Sequence, residues 1–322
     1  MDIRNTRLTF GFNSKKEIKG WKFDGIIEAD FFGGFDGASM FSAQKPIPRL
    51  RLAYMDFVHK NIRIRLGQAW TPMFGNVPVS LSHIAFPLGY GSAGMVGWRF
   101  PGVYFYWGLN GKNPPVKVQL DAALFTGSWN GPGNNVNFLT GGNLGSPQME
   151  LRLNFIGKTW EVYTVGHYDK KNLAPVNVNA PDSTLNGAAF EIGAKYHPGG
   201  FLLQGNFFTG KNIGQQFGEI TQVSPSTHDI SSTGGWVQIG YKFPSKYGLY
   251  AFYGTEKVNK NKALAAGLSN PRTLNNLWDF MVDKSVGPVT LGLEYLYSNL
   301  TYGAGDSTVH GSQLAFSVLY KF

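Results

Sequence analysis

The sequence predicts an all-β protein: a transmembrane antiparallel up-and-down β-barrel, with fifteen strands visible in a parent barrel of about 16. Three observations predict it. Apolar residues recur with period two, connections alternate between short and long, and the faces that would point outward carry almost no charge. Composition agrees. Only 15% of the 322 residues are charged, while 42 are glycine and 15% are aromatic; an average soluble domain is about 25% charged. No stretch approaches the roughly 18 to 20 continuous apolar residues of a spanning helix.

The alternation is cleanest at the C-terminus, where Leu314, Phe316, Val318, Tyr320 and Phe322 share one face and Gln313, Ala315, Ser317, Leu319 and Lys321, mostly polar or small, lie on the other. Val289, Leu291, Leu293, Tyr295 and Tyr297 oppose Thr290, Gly292, Glu294 and Ser298 in the same way. Met149, Leu151, Leu153 and Phe155 oppose Gln148, Glu150, Arg152 and Asn154. In chain order the candidate strands are 3–13, 19–32, 49–57, 61–69, 95–107, 116–126, 148–155, 159–168, 187–196, 201–208, 235–243, 249–256, 275–283, 288–298 and 312–322.

Seven short connections interleave with seven long ones, the long ones being 33–48, 70–94, 127–146, 169–186, 209–234, 257–274 and 299–311. Short inner turns and long outer loops are the form of an outer-membrane barrel. A soluble sandwich also alternates, but its connections need not sort by length and water would meet large apolar faces. Aromatic residues beside the short turns, including Phe12, Trp21, Phe155, Trp160, Tyr196, Phe201 and Phe243, fit an interfacial girdle. A closed antiparallel barrel in one bacterial chain needs an even strand count, and with fifteen strands the first would begin on the long-loop side. One further strand preceding Ile3 is therefore expected.

Several function classes drop out. Without cysteine there is no disulfide, thiolate metal site or cysteine nucleophile. The N-terminus lacks an apolar signal core, so an export signal is expected to have been removed or not included. The net charge of +9 rests partly on short lysine clusters, Lys15, Lys16 and Lys19 and then Lys257, Lys260 and Lys262. No nucleic-acid recognition motif accompanies them, so they read as solvated turns and loops. The six histidines are scattered, without metal-ligand spacing or a serine-and-acid arrangement, and no cofactor motif is present. A channel is expected rather than an enzyme. Adhesins and barrel hydrolases remain the alternatives.

The lumenal face is mixed. Arg49 and Arg51, then Arg63 and Arg65, fall on inward positions of strands joined by a short turn, and Arg99 follows on the next strand. Lys117 and Arg152 are further inward cations, while Asp24, Glu28, Asp121, Glu150, Glu161, Glu191 and Glu294 are inward acids. Guanidinium groups in a narrow aqueous passage favour carboxylate and phosphate solutes; equally, they could only pair with nearby acids. The segment 70–94 has no charged residue apart from His83 and carries Trp70, Met73, Phe74, Phe86 and Tyr90. So apolar a loop should not sit in bulk water, which points to folding into the lumen as a constriction, or to burial at a subunit interface. The whole of 1–322 reads as one transmembrane barrel domain, of which 70–94 is a loop.

The runs Arg49-Leu50-Arg51-Leu52-Ala53-Tyr54 and Arg65-Leu66-Gly67-Gln68-Ala69-Trp70, with Arg4-Asn5-Thr6-Arg7-Leu8-Thr9-Phe10 and Ile27-Glu28-Ala29-Asp30-Phe31-Phe32-Gly33 before them, resemble the DcaP-like porins. In that family these segments follow a first strand. The resemblance covers about the first hundred residues. It implies a 16-stranded homotrimeric channel of the bacterial outer membrane, embedded in lipid, that passes small and often anionic organic solutes. The family's pore arginines carry over to Arg49, Arg51 and Arg65. Segment 70–94 matches by position.

Overall fold

The computed structural model describes residues 6–31, 33, 47–81, 90–111, 114–126, 146–172 and 184–320. They form one fifteen-stranded sheet in which every strand is antiparallel to the strand before it. The strands are β1 (Leu8–Asn13), β2 (Lys22–Asp30), β3 (Arg49–His59), β4 (Ile62–Trp70), β5 (Arg99–Gly108), β6 (Lys117–Phe125), β7 (Gln148–Ile156) and β8 (Trp160–Asn172). They continue as β9 (Thr184–Tyr196), β10 (Phe201–Lys211), β11 (Ser231–Lys242), β12 (Tyr247–Val258), β13 (Arg272–Val286), β14 (Val289–Tyr302) and β15 (Ser307–Tyr320). A short helix, α1 (Lys260–Ala265), sits between β12 and β13. Among the described residues, β1 and β15 each have one neighbour. The strand expected before Ile3 lies outside the described residues.

The burial pattern is inverted relative to a water-soluble sheet. Leu151 is 55% exposed beside Glu150 at 4%, and Phe280 is 55% exposed beside Asp279 at 2%. Phe190 with Glu191, and Leu293 with Glu294, repeat the inversion. Each such apolar side chain gains about 1.5 to 3 kcal/mol on leaving water. The outward face therefore suits hydrocarbon, and the backbone ladders satisfy the amides that lipid cannot. No helix among the described residues is long and apolar enough to cross a membrane; the strands make the crossing. Glycines make room for large rings on both faces: a Cβ on Gly25 would stand 2.1 Å from the outward Phe12 ring, and one on Gly240 2.2 Å from the inward Tyr250.

The short connections are tight, down to Gly287 and Pro288 between β13 and β14, where Gly287 takes φ 57°. Three local differences from the sequence reading have physical causes. Residues 95–98 were expected in a strand but belong to the inner segment described below; Gly97, at φ 96°, presses so closely on Phe74 that a Cβ would lie 2.4 Å from the Phe74 nitrogen. The expected long loop 299–311 is mostly ladder, with only 303–306 as the turn. Its rungs pair Thr301 with Thr308 and Asn299 with His310. Mixed polar residues erase the hydrophobic period while the backbone pairing continues. Finally, β3 is irregular: Glu28 pairs with Leu52 and Ala29 with Leu50, leaving Arg51 as an extra residue. The bulge flips the alternation beyond it, so Met55 faces outward and Asp56 inward.

Candidate functional site: lumenal arginines and the inner segment

The inner face of β2–β5 gathers the predicted arginines into two groups. Near the long-loop ends of β2 and β3, Arg49 makes a two-point contact with Asp30, Nε to Oδ1 at 3.0 Å and Nη2 to Oδ2 at 2.7 Å. Arg51 bridges Glu28 at 2.7 Å and Asp30 at 2.9 Å. Arg7 approaches Glu28 at 3.7 Å. Arg99 pairs across with Trp70 at the last rung of β4 and β5, its guanidinium 4.8 Å from the Trp70 ring and 4.4 Å from Trp98. Arg99 is buried, and its Nε and Nη1 meet no acceptor among the described residues.

The second group lies toward the short turns. Arg65 donates from Nε and Nη2 to Asp56 at 2.7 and 2.9 Å while its guanidinium lies 3.6 Å from the Tyr54 ring centre. Arg63, one inward position along, is exposed and sits 5.5 Å from the Tyr106 ring. Lys117 on β6 is exposed too. Arg152 stands apart on β7, bonded to Glu161 at 3.1 Å and to the Pro72 carbonyl at 3.0 Å, over the Tyr163 ring at 3.7 Å.

The described parts of the segment after β4, 71–81 and 90–98, are held by inward side chains of the far wall. The Met73 amide donates to Glu150 at 2.7 Å. Gln204 donates to the Val77 carbonyl at 3.0 Å, and Gln238 accepts from the Val79 amide at 2.8 Å and donates to its carbonyl at 2.9 Å. The Ser80 hydroxyl and Leu81 amide donate to Glu294 at 3.1 and 3.0 Å. On the return, the Tyr90 hydroxyl donates to Asp279 and its ring stacks on Phe252 at 4.0 Å; Asn275 donates to the Ser92 carbonyl at 2.8 Å. Burial, then the neighbouring Asp279 carboxylate, push the Tyr90 hydroxyl well above its ordinary pKa. Trp70 and Phe74 stack at 3.6 Å where the segment leaves the wall. Of the residues expected to line a constriction, Trp70, Met73, Phe74 and Tyr90 are placed; His83 and Phe86 lie outside the described residues.

Sequence reasoning missed a second inner element. Residues 212–230, read only as a long loop, pack against the first segment: the Gln216 carbonyl accepts from the Gly97 amide at 2.8 Å, and Phe217 lies edge-on to Trp98 at 4.7 Å. Ile213, Ile220 and Ile230 are all buried there. Those isoleucines in a polar loop were the available signal. Phe217, Glu219, Ile220 and Thr221 all take left-handed φ between 51° and 70°. Such backbone is costly for non-glycine residues and persists only where packing over-determines it. Glu219 is fully buried with neither carboxylate oxygen bonded among the described residues, and burial followed by nearby Glu256 push its pKa well up. Asp30 and Asp56 were also missed as partners, Asp56 because strict alternation places it outside.

No family model matches the chain, and no curated protein sequence does so significantly. Solved structures do. The outer membrane channel DcaP of Acinetobacter baumannii superimposes with a TM-score of 0.71 over 99% of this chain and 85% of its own, at 16% identity. This chain has the fold of an outer-membrane channel. OmpF of Salmonella typhi, solved with daunomycin, gives 0.63 over 98% and 90% at 12% identity. OmpT of Vibrio cholerae, in its trimer form, gives 0.58 over 98% and 96% at 14% identity. The resemblance read from the first hundred residues thus extends, as fold, along nearly the whole chain.

Proposed function

We propose that the protein is an outer-membrane porin of bacterial type: a passive diffusion channel for small hydrophilic solutes that prefers anionic ones, carboxylates or phosphates, and assembles as a homotrimer. The membrane setting follows from the inverted burial of β1–β15 and from the company of the fold. The observation that carries the charge preference is the group around Glu28 and Asp30. Arg7, Arg49 and Arg51 contact those two carboxylates, and Arg99 shares the Trp70 ring with Arg51, four cations against two acids among the described residues, an excess of two positive charges there. In a narrow passage with low-dielectric walls, a fixed excess of one sign concentrates the counter-ion. The described parts of the segment after β4, 71–81 and 90–98, carry no acid that would oppose this wall, which supports reading the segment as the constriction. Pairing lowers the effect of each individual arginine without cancelling the sum.

The reversal potential of the reconstituted protein across a potassium chloride gradient tests this. The expected sign is anion preference, and Arg51→Ala, which leaves Glu28 and Asp30 with less compensation, shifts it toward cations. A cation-preferring wild type, or no shift in the variant, sinks the proposal. Chemical cross-linking in native membranes checks the trimer, and a monomer ladder alone would remove that part.

A further inference from the structure

At the short-turn end of the passage, between β4, β5 and β6, lies an open cavity of about 820 Å³. Its lining includes Lys60, Arg63 and Lys117, together with Asn61, Tyr106 and Gln119. All three cations are exposed, and none has an ion-pair partner among the described residues. Among the described residues, no carboxylate is part of the lining. The inward acids beside it are engaged: Asp56 is taken by Arg65 through two bonds, Asp121 by the amides of Gln119 and Asn154 at 2.6 and 2.8 Å, and Glu161, level with Lys117 across Ile156, by Arg152 at 3.1 Å. The contrast with the group at Glu28 and Asp30 is direct, since there every carboxylate is in contact with arginine.

We propose that this cavity is an anion-binding vestibule for multivalent oxyanions, with Arg63 and Lys117 as its charged contacts and Lys60 at its rim. Strands β4 and β6 are two neighbours apart, about 10 Å, and Arg63 lies level with Tyr106 and Asp121, so Lys117 stands four residues further toward the turn. Both side chains line the one cavity, and an anion carrying two or more separated negative charges meets both, whereas a single charge would satisfy only one of them. The Arg63 guanidinium supplies a planar fork that matches a carboxylate or phosphate, and Lys117 supplies a point charge. The Tyr106 hydroxyl is a neutral donor beside them, and the Gln119 and Asn61 amides, whose first hydrogens go to Asp121 and the Gly108 carbonyl, keep a second hydrogen each. A solute leaving the constriction would be held here before release on the short-turn side. The site deepens the anion-channel reading and rests on its placement of this face in the lumen.

Calorimetric titration of the detergent-solubilised protein with citrate, and separately with inorganic phosphate, at about 0.1 M salt where charges screen over about 10 Å, tests it. Wild type is expected to bind at least one of them saturably, and the double variant Arg63→Gln with Lys117→Gln at least tenfold more weakly. The tighter of the two anions identifies the chemistry the site takes. No saturable binding of either anion, or equal affinity in the double variant, overturns the vestibule. Fluorescence-monitored melting of the double variant establishes that it is folded. The result is separable from the channel reading: anion preference in reversal potential without saturable binding removes the vestibule alone, and binding in a cation-preferring channel removes the preference alone.

Discussion

What each lumenal arginine can do is set by the carboxylate opposite it. Arg65 is locked to Asp56 by two bonds and laid on Tyr54, so its charge is largely compensated. Replacing Asp56 with Asn should release that charge. The reversal potential is then expected to move further toward the anion limit, opposite in sign to the effect of Arg51→Ala. Glu219 gives a second prediction at this scale. Its carboxyl binds a proton more tightly in the fold than in the unfolded chain, because burial and Glu256 disfavour the charge. The folded state therefore holds more protons than the unfolded state from the ordinary carboxylate range upward, and stability falls as pH rises through that window toward the raised value. Glu219→Gln should remove this slope. Melting in detergent at pH 5 and pH 8 reads it: wild type loses stability relative to the variant at the higher pH, and parallel curves would contradict the assignment.

At the scale of elements, the inner segment is a tether between distant strands. Gln238 on β11 and Glu294 on β14 hold Val79, Ser80 and Leu81 by four hydrogen bonds. Neutral bonds of this kind are worth about 0.5 to 1.5 kcal/mol each and those to a charged carboxylate about 1.5 to 3. Combining Gln238→Ala with Glu294→Gln weakens the hold by a few kcal/mol on that scale. Single-channel recordings should show a noisier open level with excursions to higher conductance. An unchanged, quiet level would mean that the segment is anchored elsewhere, for example through Tyr90 and Asp279. The second inner element, 212–230, bears on the same anchor because Gln216 receives the Gly97 amide. Its three consecutive left-handed residues, Glu219 to Thr221, are unstrained only for glycine, so the surrounding packing must hold them.

For the whole molecule, the decisive property is which solvent touches which face. The outward positions of neighbouring strands are apolar along their length, and the buried positions between them carry glutamate, aspartate and glutamine. Leu151→Arg puts a charge in the apolar band of β7. Equilibrium unfolding in lipid vesicles should show a loss of about 2 to 4 kcal/mol if that position is near the bilayer midplane. Lys at Gln204, on the inner face, should cost far less, and equal losses would argue against a lipid-facing outer surface.

The strand rhythm was legible from sequence because a membrane barrel imposes period two on every strand, and the order of fifteen antiparallel neighbours followed from the sorting of connection lengths. That signal fades where lipid ends: past Ser298 both faces of the β14–β15 ladder carry polar residues, and the sequence reads as loop what the backbone pairs as strand. The arginines were legible as inward residues, but not their partners. One bulge at Arg51 reverses the facing of everything after it in β3, and no local pattern announces a bulge. Nor could the sequence place 212–230 against 90–98, since contacts between segments more than a hundred residues apart depend on how the wall curves. By itself, then, the sequence determined the membrane-facing surface, because solvent acts on each residue independently. Only the tertiary structure decided which charges are compensated and which, like Arg63 and Lys117, remain available, because charge pairing is a property of neighbours in space.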